Sequence, residues 1–285
     1  NPNSQHSLIQ LKQRILTAMA KLEDRDTHQI ASEELEKIVE AIPPSSDCVS
    51  VCLSCFYDSD IHQKSVVKKE CVKLFASLAS LHSDLVIPHV GKIIASIMRR
   101  LRDPDSSVRD ACVETMSTLS SHLLPSSSSS SLQEKENGSE NGSHLVHKDN
   151  GSSNLIKRDN VSNGSSNLVK KENSSNGSSQ LTQKENGSSH LVPIITISTF
   201  SKPLFDALSE QNKGVQTGAA MCLAGVIESA KNPPISAMAR LCPRVGKLLS
   251  NPNFLARPAI LGVIGSLSQV IVNCQSSIII NPESL

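Results

Sequence analysis

Hydrophobic residues in this chain recur every three or four positions, in paired runs separated by short polar turns. The first run predicts a helix over residues 7–22, and the second predicts a partner helix that ends at Pro43-Pro44. The polar stretch Glu23-Asp24-Arg25-Asp26-Thr27 separates them. The apolar stripes consist of Leu8, Leu11, Ile15, Met19 and Leu22, and of Ala31, Leu35, Ile38 and Ile42. Two amphipathic helices with a polar turn between them predict an antiparallel helical hairpin.

The same pattern returns four more times, which indicates a repeat. Equivalent core positions are separated by 36, 41, 107 and 41 residues, and these positions are Ala31, Val67, Val108, Val215 and Ala256. Subtracting one period of 41 from the long interval leaves 66 residues, nearly the length of a Ser- and Asn-rich stretch in the middle. A period near 40 is typical of HEAT repeats. The sequence therefore predicts an all-α fold, an α-solenoid of about five HEAT-type helical hairpins interrupted by a long disordered insert.

The middle of the chain has a different composition from both ends. Residues 125–192 are mostly Ser, Asn, Gly, Lys and Glu, and seven cations balance seven anions there. Low hydrophobicity predicts disorder, and the charge balance argues against a polybasic arm. We therefore expect hairpins one to three in residues 1–124, the insert in residues 125–192, and hairpins four and five, continuing the same array, in residues 193–285.

Composition narrows the range of partners. Apolar residues make up 38% of the chain, only 2% are aromatic, and the formal net charge is +1. Few aromatic rings argue against single-stranded nucleic acid, and the charge offers no field to recruit nucleic acid or an anionic membrane. No apolar stretch of membrane-spanning length and no signal sequence is evident. We therefore expect a cytoplasmic location, and we expect neither a membrane nor a nucleic acid as a partner.

The residues that often carry chemistry have ordinary structural explanations. Cys48, Cys52 and Cys55 lie on one side of one predicted helix, whereas a zinc site needs ligands that converge from several directions. Most of the eight cysteines fall on predicted buried faces and should be packed, free thiols. A glycine-rich phosphate loop, an HExxH motif and a nucleophile elbow are all missing from the sequence. We predict no catalytic residues, no cofactor and no metal.

The turns between paired helices carry most of the informative charges. Stacked repeats would align these turns along one edge, where a row of cations favours an acidic protein surface. The alternative is a solvated face in which the same cations pair with interleaved aspartates such as Asp103 and Asp105. The candidate contact residues are Arg25, Lys64, Lys68, Lys69, Arg102, Arg109, Lys213 and Arg257.

The third turn resembles a known family. The stretch from Arg99 to Cys112, with Leu11-Lys12-Gln13-Arg14-Ile15-Leu16 before it and Gly218-Ala219-Ala220-Met221-Cys222-Leu223-Ala224 after the insert, is similar to the amino-terminal region of plant tortifolia/spiral-type microtubule-associated proteins. The resemblance implies a HEAT array related to TOG domains. It also implies binding to tubulin and microtubules, a location on cortical microtubules, and an influence on their stability and growth direction.

Two hypotheses for function follow. The first is a non-enzymatic microtubule-binding protein whose turn edge contacts acidic tubulin surface. The second is a general HEAT-repeat scaffold that binds a folded protein or peptide in its groove, as phosphatase-regulatory and transport-receptor modules do. Charge changes on the turn edge should weaken the first kind of binding and leave the second unaffected.

Overall fold

A computed structural model describes residues 2–59, 64–125, 194–231 and 233–280, with side chains from residue 5 to residue 275. These residues form helices and loops, with no strand among them. The helices are α1 (Pro2–Lys21), α2 (His28–Ala41), α3 (Ser46–Asp58), α4 (Ser65–Leu81), a short α5 (Ser83–Val86), α6 (Val90–Arg100), α7 (Ser106–Leu123), α8 (Ile197–Leu208), α9 (Lys213–Ser229), α10 (Ile235–Ser250) and α11 (Arg257–Ile280). A 3-10 turn at Ile87–His89 joins α5 to α6.

Polar residues set the boundaries at the turns. Asp105 accepts a hydrogen bond of 2.8 Å from the Ser107 backbone N–H and thereby caps α7. Asn212 does the same for α9, accepting from the Val215 N–H at 3.1 Å. Each cap satisfies a donor that the first helical turn leaves without a partner. The polar turns predicted from sequence therefore end one helix and begin the next.

The helices pair into five hairpins, α1–α2, α3–α4, α6–α7, α8–α9 and α10–α11. The second helices form one layer, in which α2 packs on α4, α4 on α7, α7 on α9, and α9 on α11. The first helices form another, with α1 beside α3 and α6 beside α8. Each hairpin thus contacts its sequence neighbours, as in a solenoid. The predicted all-α solenoid is confirmed.

Polar contacts accompany the packing between successive second helices. Ser32 of α2 donates to Glu70 of α4 at 2.9 Å, and Thr115 of α7 donates to the Val72 carbonyl of α4 at 3.1 Å. Further along, the Ser117 and Ser229 hydroxyls are 3.0 Å apart, and Ser266 donates to Glu228 at 2.6 Å. One such contact therefore joins every consecutive pair of second helices, and each satisfies polar groups at the packed interface.

A single hydrophobic cluster runs through all five hairpins. The five periodic positions named above are all buried, with at most 3% of any of these side chains exposed. Hairpins three and four pack closely, because a Cβ built on Gly218 of α9 would lie 2.7 Å from Cδ1 of Leu101. The predicted insert, residues 125–192, lies outside the described residues except for Pro125, since the structure does not describe residues 126–193. The helical repeat thus resumes in register after that stretch.

One expectation about membrane segments is wrong. Residues Arg257–Gln275 of α11 have a mean hydropathy of 1.3 and are long and apolar enough to cross a membrane, judged by length and composition. The sequence reading missed this segment because serine, glutamine and glycine interrupt the apolar residues, although no charge follows Arg257 within it. Ile260, Val263 and Leu267 of this helix are nevertheless buried in the core. The inner face of α11 is therefore a solenoid face packed on α9 and α10.

Candidate functional site

The first two turns of the edge are joined by Lys64. Its Nζ donates to the Glu23 carbonyl oxygen at 3.0 Å and lies 3.3 Å from a carboxylate oxygen of the same residue. Lys64 directly precedes the second helix of hairpin two, whereas Glu23 lies in the turn of hairpin one. This predicted contact residue therefore links two repeats.

The second and third turns are joined by a less exposed ion pair. Nζ of Lys68 lies 2.8 Å from Oδ2 of Asp103, and the two side chains are 19% and 6% exposed. The other carboxylate oxygen of Asp103 accepts from the Asp105 backbone N–H at 3.0 Å. Because water is largely excluded here, the attraction is screened less than in a surface pair. Lys68 therefore stabilises the contact between the second and third turns.

Arg102 joins the third turn to the fourth. Its guanidinium forms a two-pronged pair with Glu210, in which Nε is 3.2 Å from Oε2 and the second contact runs from Nη2 to Oε1. These residues are 108 positions apart in sequence, on either side of the predicted insert. Both are partly exposed, at 46% and 33% of the side chain. Forked pairs of this kind fix orientation as well as adding attraction.

Gln216 joins the fourth turn to the fifth, and the sequence reading did not select it. Its Nε2 donates to the Glu210 carbonyl at 2.6 Å, and its Oε1 accepts from the Leu255 backbone N–H at 2.8 Å. Gln216 is only 3% exposed. It directly follows the buried position Val215, just as Lys68 follows Val67. The periodic pattern marks this position in the sequence, whereas its lack of charge hides it.

Arg109 and Arg257 occupy the same position in their repeats and behave alike. Arg109 donates to the carbonyls of Asp103 and Pro104 at 2.7 and 2.8 Å. Arg257 donates to the carbonyls of Leu249 and Asn251, both at 3.1 Å. The Leu249 and Asn251 oxygens lie at the carboxyl end of α10, where a cation is favourable, whereas the Asp103 and Pro104 oxygens lie in the turn after α6. Both arginines therefore close their own turn.

Three of the eight candidates form neither an ion pair nor a side-chain hydrogen bond with any residue that the structure describes: Arg25, Lys69 and Lys213. Arg25 and Lys213 are exposed, whereas Lys69 is half-buried. Lys213 and Arg109 line one end of a shallow groove of about 320 Å³ between α7 and α9. These three residues are the cations of the edge that are most available to a partner.

A ninth cation, Arg100, lies in the core instead of on the edge. It is 3% exposed and donates to the hydroxyls of Ser96 and Ser59, and to the Phe56 carbonyl at 2.6 Å. Its guanidinium carbon also lies 5.4 Å from the centre of the Phe75 ring. Arg100 therefore fastens α6 to the end of α3, a role that the sequence did not reveal.

Six of the eight cysteines are packed thiols, in agreement with the expectation that most of them are buried. Cys48, Cys52, Cys55, Cys71, Cys112 and Cys222 are buried, whereas Cys274 is half-buried and Cys242 is exposed on α10. Burial raises the pKa of Cys52 to about 12 and that of Cys71 to about 11. These two thiols therefore stay protonated near neutral pH, when a metal ligand must be a thiolate. Within the described residues, no cluster of His, Cys, Asp and Glu has an arrangement suited to a metal ion.

These features define a HEAT-type α-solenoid whose hairpins are tied together along the edge formed by their turns. A family model described as the TORTIFOLIA1 N-terminal domain matches residues 9–147 and 158–281. The chain belongs to this family. The match confirms the resemblance inferred from the third turn and its flanking segments.

Named relatives agree with that assignment. Microtubule-associated protein TORTIFOLIA1 of Arabidopsis thaliana is 39% identical over 264 residues, which is 93% of this chain and 24% of the relative. TORTIFOLIA1-like protein 1 of the same plant is 37% identical over 268 residues, 94% of this chain and 26% of the relative. The chain thus spans about a quarter of the length of these relatives. An engineered protein of known structure aligns at 12% identity with a TM-score of 0.37, covering 92% of this chain and 85% of its own.

Proposed function

We propose that this chain is a non-enzymatic microtubule-binding array. The single observation that carries the proposal is its membership in the TORTIFOLIA1 N-terminal family, one of whose members is named a microtubule-associated protein. The fold supports this role, since a solenoid presents long surfaces to a large partner and offers no deep pocket among its described residues. The proposed partner is tubulin in the polymer.

We further propose that the turn edge contributes to this contact. The eight candidate residues are not equivalent in that role, because five of them are engaged in holding turns together. Arg25, Lys69 and Lys213 are the members expected to reach an acidic surface directly. Arg102 and Lys64, which are partly exposed, would add a longer-range field that salt screens.

In cells, the proposed role is association with cortical microtubules and an influence on their stability and growth direction. A fluorescent fusion of the chain in plant epidermal cells should decorate cortical filaments that vanish on depolymerisation of microtubules. A diffuse cytoplasmic signal that ignores depolymerisation would contradict this location.

Co-sedimentation with stabilised microtubules over a salt series tests the function. The intact chain should pellet at low salt and release as salt rises, because exposed charges carry the attraction. A triple variant, R25Q/K69Q/K213Q, should bind about tenfold more weakly, since each of the three surface contacts contributes about 0.5 kcal/mol. The matched control K12Q/R14Q/K92Q removes the same charge from exposed positions on α1 and α6. Absence of pelleting by the intact chain at low salt would overturn the proposal.

A further inference from the structure

Positive charge is concentrated in the last hairpin. Between residues 229 and 282 the chain has five cations and no Asp or Glu; the cations are Lys231, Arg240, Arg244, Lys247 and Arg257. Since the whole chain has a net charge of only +1, the remainder is net negative. This asymmetry gives hairpin five a positive field of its own.

Three of these cations share one side of α10. Arg240, Arg244 and Lys247 are four and then three residues apart, so they lie on one helical stripe. All three are exposed, whereas Met238, Leu241 and Val245 form the buried stripe of the same helix. The basic stripe therefore faces away from the core and towards solvent.

A neighbouring helix extends this surface and orders part of it. The Arg244 guanidinium carbon lies 3.8 Å from the centre of the Phe205 ring on α8, a cation–π distance. Lys202 is exposed one helical turn before Phe205. Stacking restricts the Arg244 side chain and leaves guanidinium N–H groups at the rim of the ring to donate outward. Arg240, Arg244, Lys247 and Lys202 form what we call the α10 face.

The α10 face differs from the turn edge in its pairing. Among the described residues, Lys202, Arg244 and Lys247 form no ion pair, whereas Lys64, Lys68 and Arg102 of the edge each pair with a carboxylate. Unpaired cations keep their full attraction for an incoming anion, while a paired cation must first give up its partner. Lys202, Arg244 and Lys247 are thus more available to an acidic partner than the paired cations of the edge.

We propose that the α10 face binds an acidic polypeptide segment. Successive cations on this stripe are roughly 4.5–6 Å apart along the helix axis, and side chains on one face of an extended peptide repeat about every 7 Å. The long arginine and lysine side chains can span this difference, so acidic residues at alternate positions can meet successive cations. Arginine also matches a carboxylate with two parallel donors. The binding of an acidic polypeptide follows from the α10 face alone. The further statement that this polypeptide is part of a microtubule rests on the function proposed above.

Other anionic partners fit this face less well. Binding of single-stranded nucleic acid uses exposed aromatic platforms, yet α10 has no aromatic residue and Phe205 is 5% exposed beneath Arg244. A membrane-surface helix needs a free apolar face, but Met238, Leu241 and Val245 of α10 are buried against the protein. The observations therefore favour an acidic protein segment.

Fluorescence anisotropy of a labelled oligoglutamate peptide, titrated with the full chain at low salt, tests the proposal. The variant R244E/K247E should weaken binding by at least about tenfold, because attraction becomes repulsion at two contacts. The control K12E/K92E makes the same charge change on exposed positions of α1 and α6 and should alter binding by less than about twofold. Equal loss in both variants, or loss in neither, would overturn the α10 face as the site.

A second variant protects the test against misfolding. K202E/K247E leaves the contact between Arg244 and Phe205 in place, so it should retain the melting temperature of the parent chain and still lose oligoglutamate binding. Tighter binding of oligothymidylate or of phosphatidylserine vesicles than of oligoglutamate would overturn the acidic-polypeptide assignment. Microtubule pelleting by the same variants tests the proposed function separately. A variant can lose or keep oligoglutamate binding independently of whether it pellets with microtubules.

Discussion

The turn edge and the α10 face are both rich in cations, but the structure uses them differently. On the edge, Lys64, Lys68 and Arg102 each pair with a carboxylate of the neighbouring hairpin. On the α10 face, Arg244 and Lys247 have no ion-pair partner among the described residues. A basic residue in a repeat protein can therefore be either an internal fastener or a free binding group. Its place in the repeat decides which.

One position in the repeat supplies a fastening contact each time, although Lys64 and Arg102 lie outside it. The residue that directly follows the buried periodic position forms a polar contact in every hairpin, and these residues are Ser32, Lys68, Arg109, Gln216 and Arg257. Such a residue lies within the first five residues of the second helix, where it can reach an adjacent turn or helix. Arg244 and Lys247 lie on the exposed side of a first helix instead. That side reaches hairpin four through the stacking of Arg244 on the Phe205 ring, a contact that engages no carboxylate.

The largest predicted effect concerns the most deeply engaged cation, Arg100. Replacing it with alanine should destabilise the fold by about 3 kcal/mol or more, because the buried Phe56 carbonyl and two serine hydroxyls lose their partner. Urea denaturation followed by circular dichroism measures this change. The control Lys92→Ala, at an exposed site on the same helix, should shift stability by less than about 0.5 kcal/mol. Equal stability of the two variants would contradict the fastening role.

The next prediction concerns the packing between hairpins three and four, as distinct from the ion pair between Arg102 and Glu210 at the same junction. Gly218→Ala should cost about 1–3 kcal/mol, because the added methyl group meets the buried Leu101 side chain. Gly262→Ala in α11, where nothing lies within 4 Å of the added Cβ, should instead stabilise by up to about 1 kcal/mol. Thermal denaturation compares the two. A stabilised Gly218→Ala chain would mean that α9 does not pack on hairpin three as described.

Two double-mutant cycles sharpen the comparison within the edge. The pair Lys68 and Asp103, 19% and 6% exposed, should show a coupling energy of about 1–2 kcal/mol. The more exposed pair Arg102 and Glu210 should show about 0.5 kcal/mol and lose it in high salt. Glutamine and asparagine replacements, measured by urea denaturation, give both values. A stronger coupling in the exposed pair would contradict the ranking.

The smallest effect is a dependence on pH at the third turn. Hydrogen bonds from the Ser107 backbone N–H, from the Ser107 hydroxyl and from Ser65 lower the pKa of Asp105. A depressed folded-state pKa stabilises above the unfolded value and loses that contribution as pH falls through the folded value. The stability advantage over Asp105→Asn should therefore disappear between about pH 5 and pH 2. Denaturation curves over that range measure it, and an advantage independent of pH would argue against the charged cap.

The sequence predicted the fold well because the fold follows from periodicity. The five periodic positions are all buried: Ala31, Val67, Val108, Val215 and Ala256. The turns lie at the helix-breaking and helix-capping residues of the sequence. Hydrophobic steps of three and four residues and a period near 40 are local signals that survive without an alignment. The membrane-length character of α11 was the main error, since it depends on mean hydropathy over a window and not on an unbroken apolar run.

The candidate site was predicted less completely, because pairing is a three-dimensional property. Glu210 meets Arg102 across 108 residues of sequence, and nothing local links them. Arg100 reads as one more exposed cation beside Arg99 and Arg102, yet the geometry of α6 turns it into the core. The α10 face was detectable in principle, since the absence of acidic residues from 229 to 282 is visible in the sequence.

Lysine footprinting tests the central distinction between fasteners and free binding groups most directly. The intact chain is acylated with a limiting lysine reagent, with and without oligoglutamate, and each site is quantified by mass spectrometry. Alone, Lys202 and Lys247 should react faster than Lys68, which is 19% exposed and paired. With oligoglutamate, Lys202 and Lys247 should be protected while Lys64 and Lys68 stay unchanged. Protection confined to Lys64 and Lys68, or uniform across all four, would contradict the account.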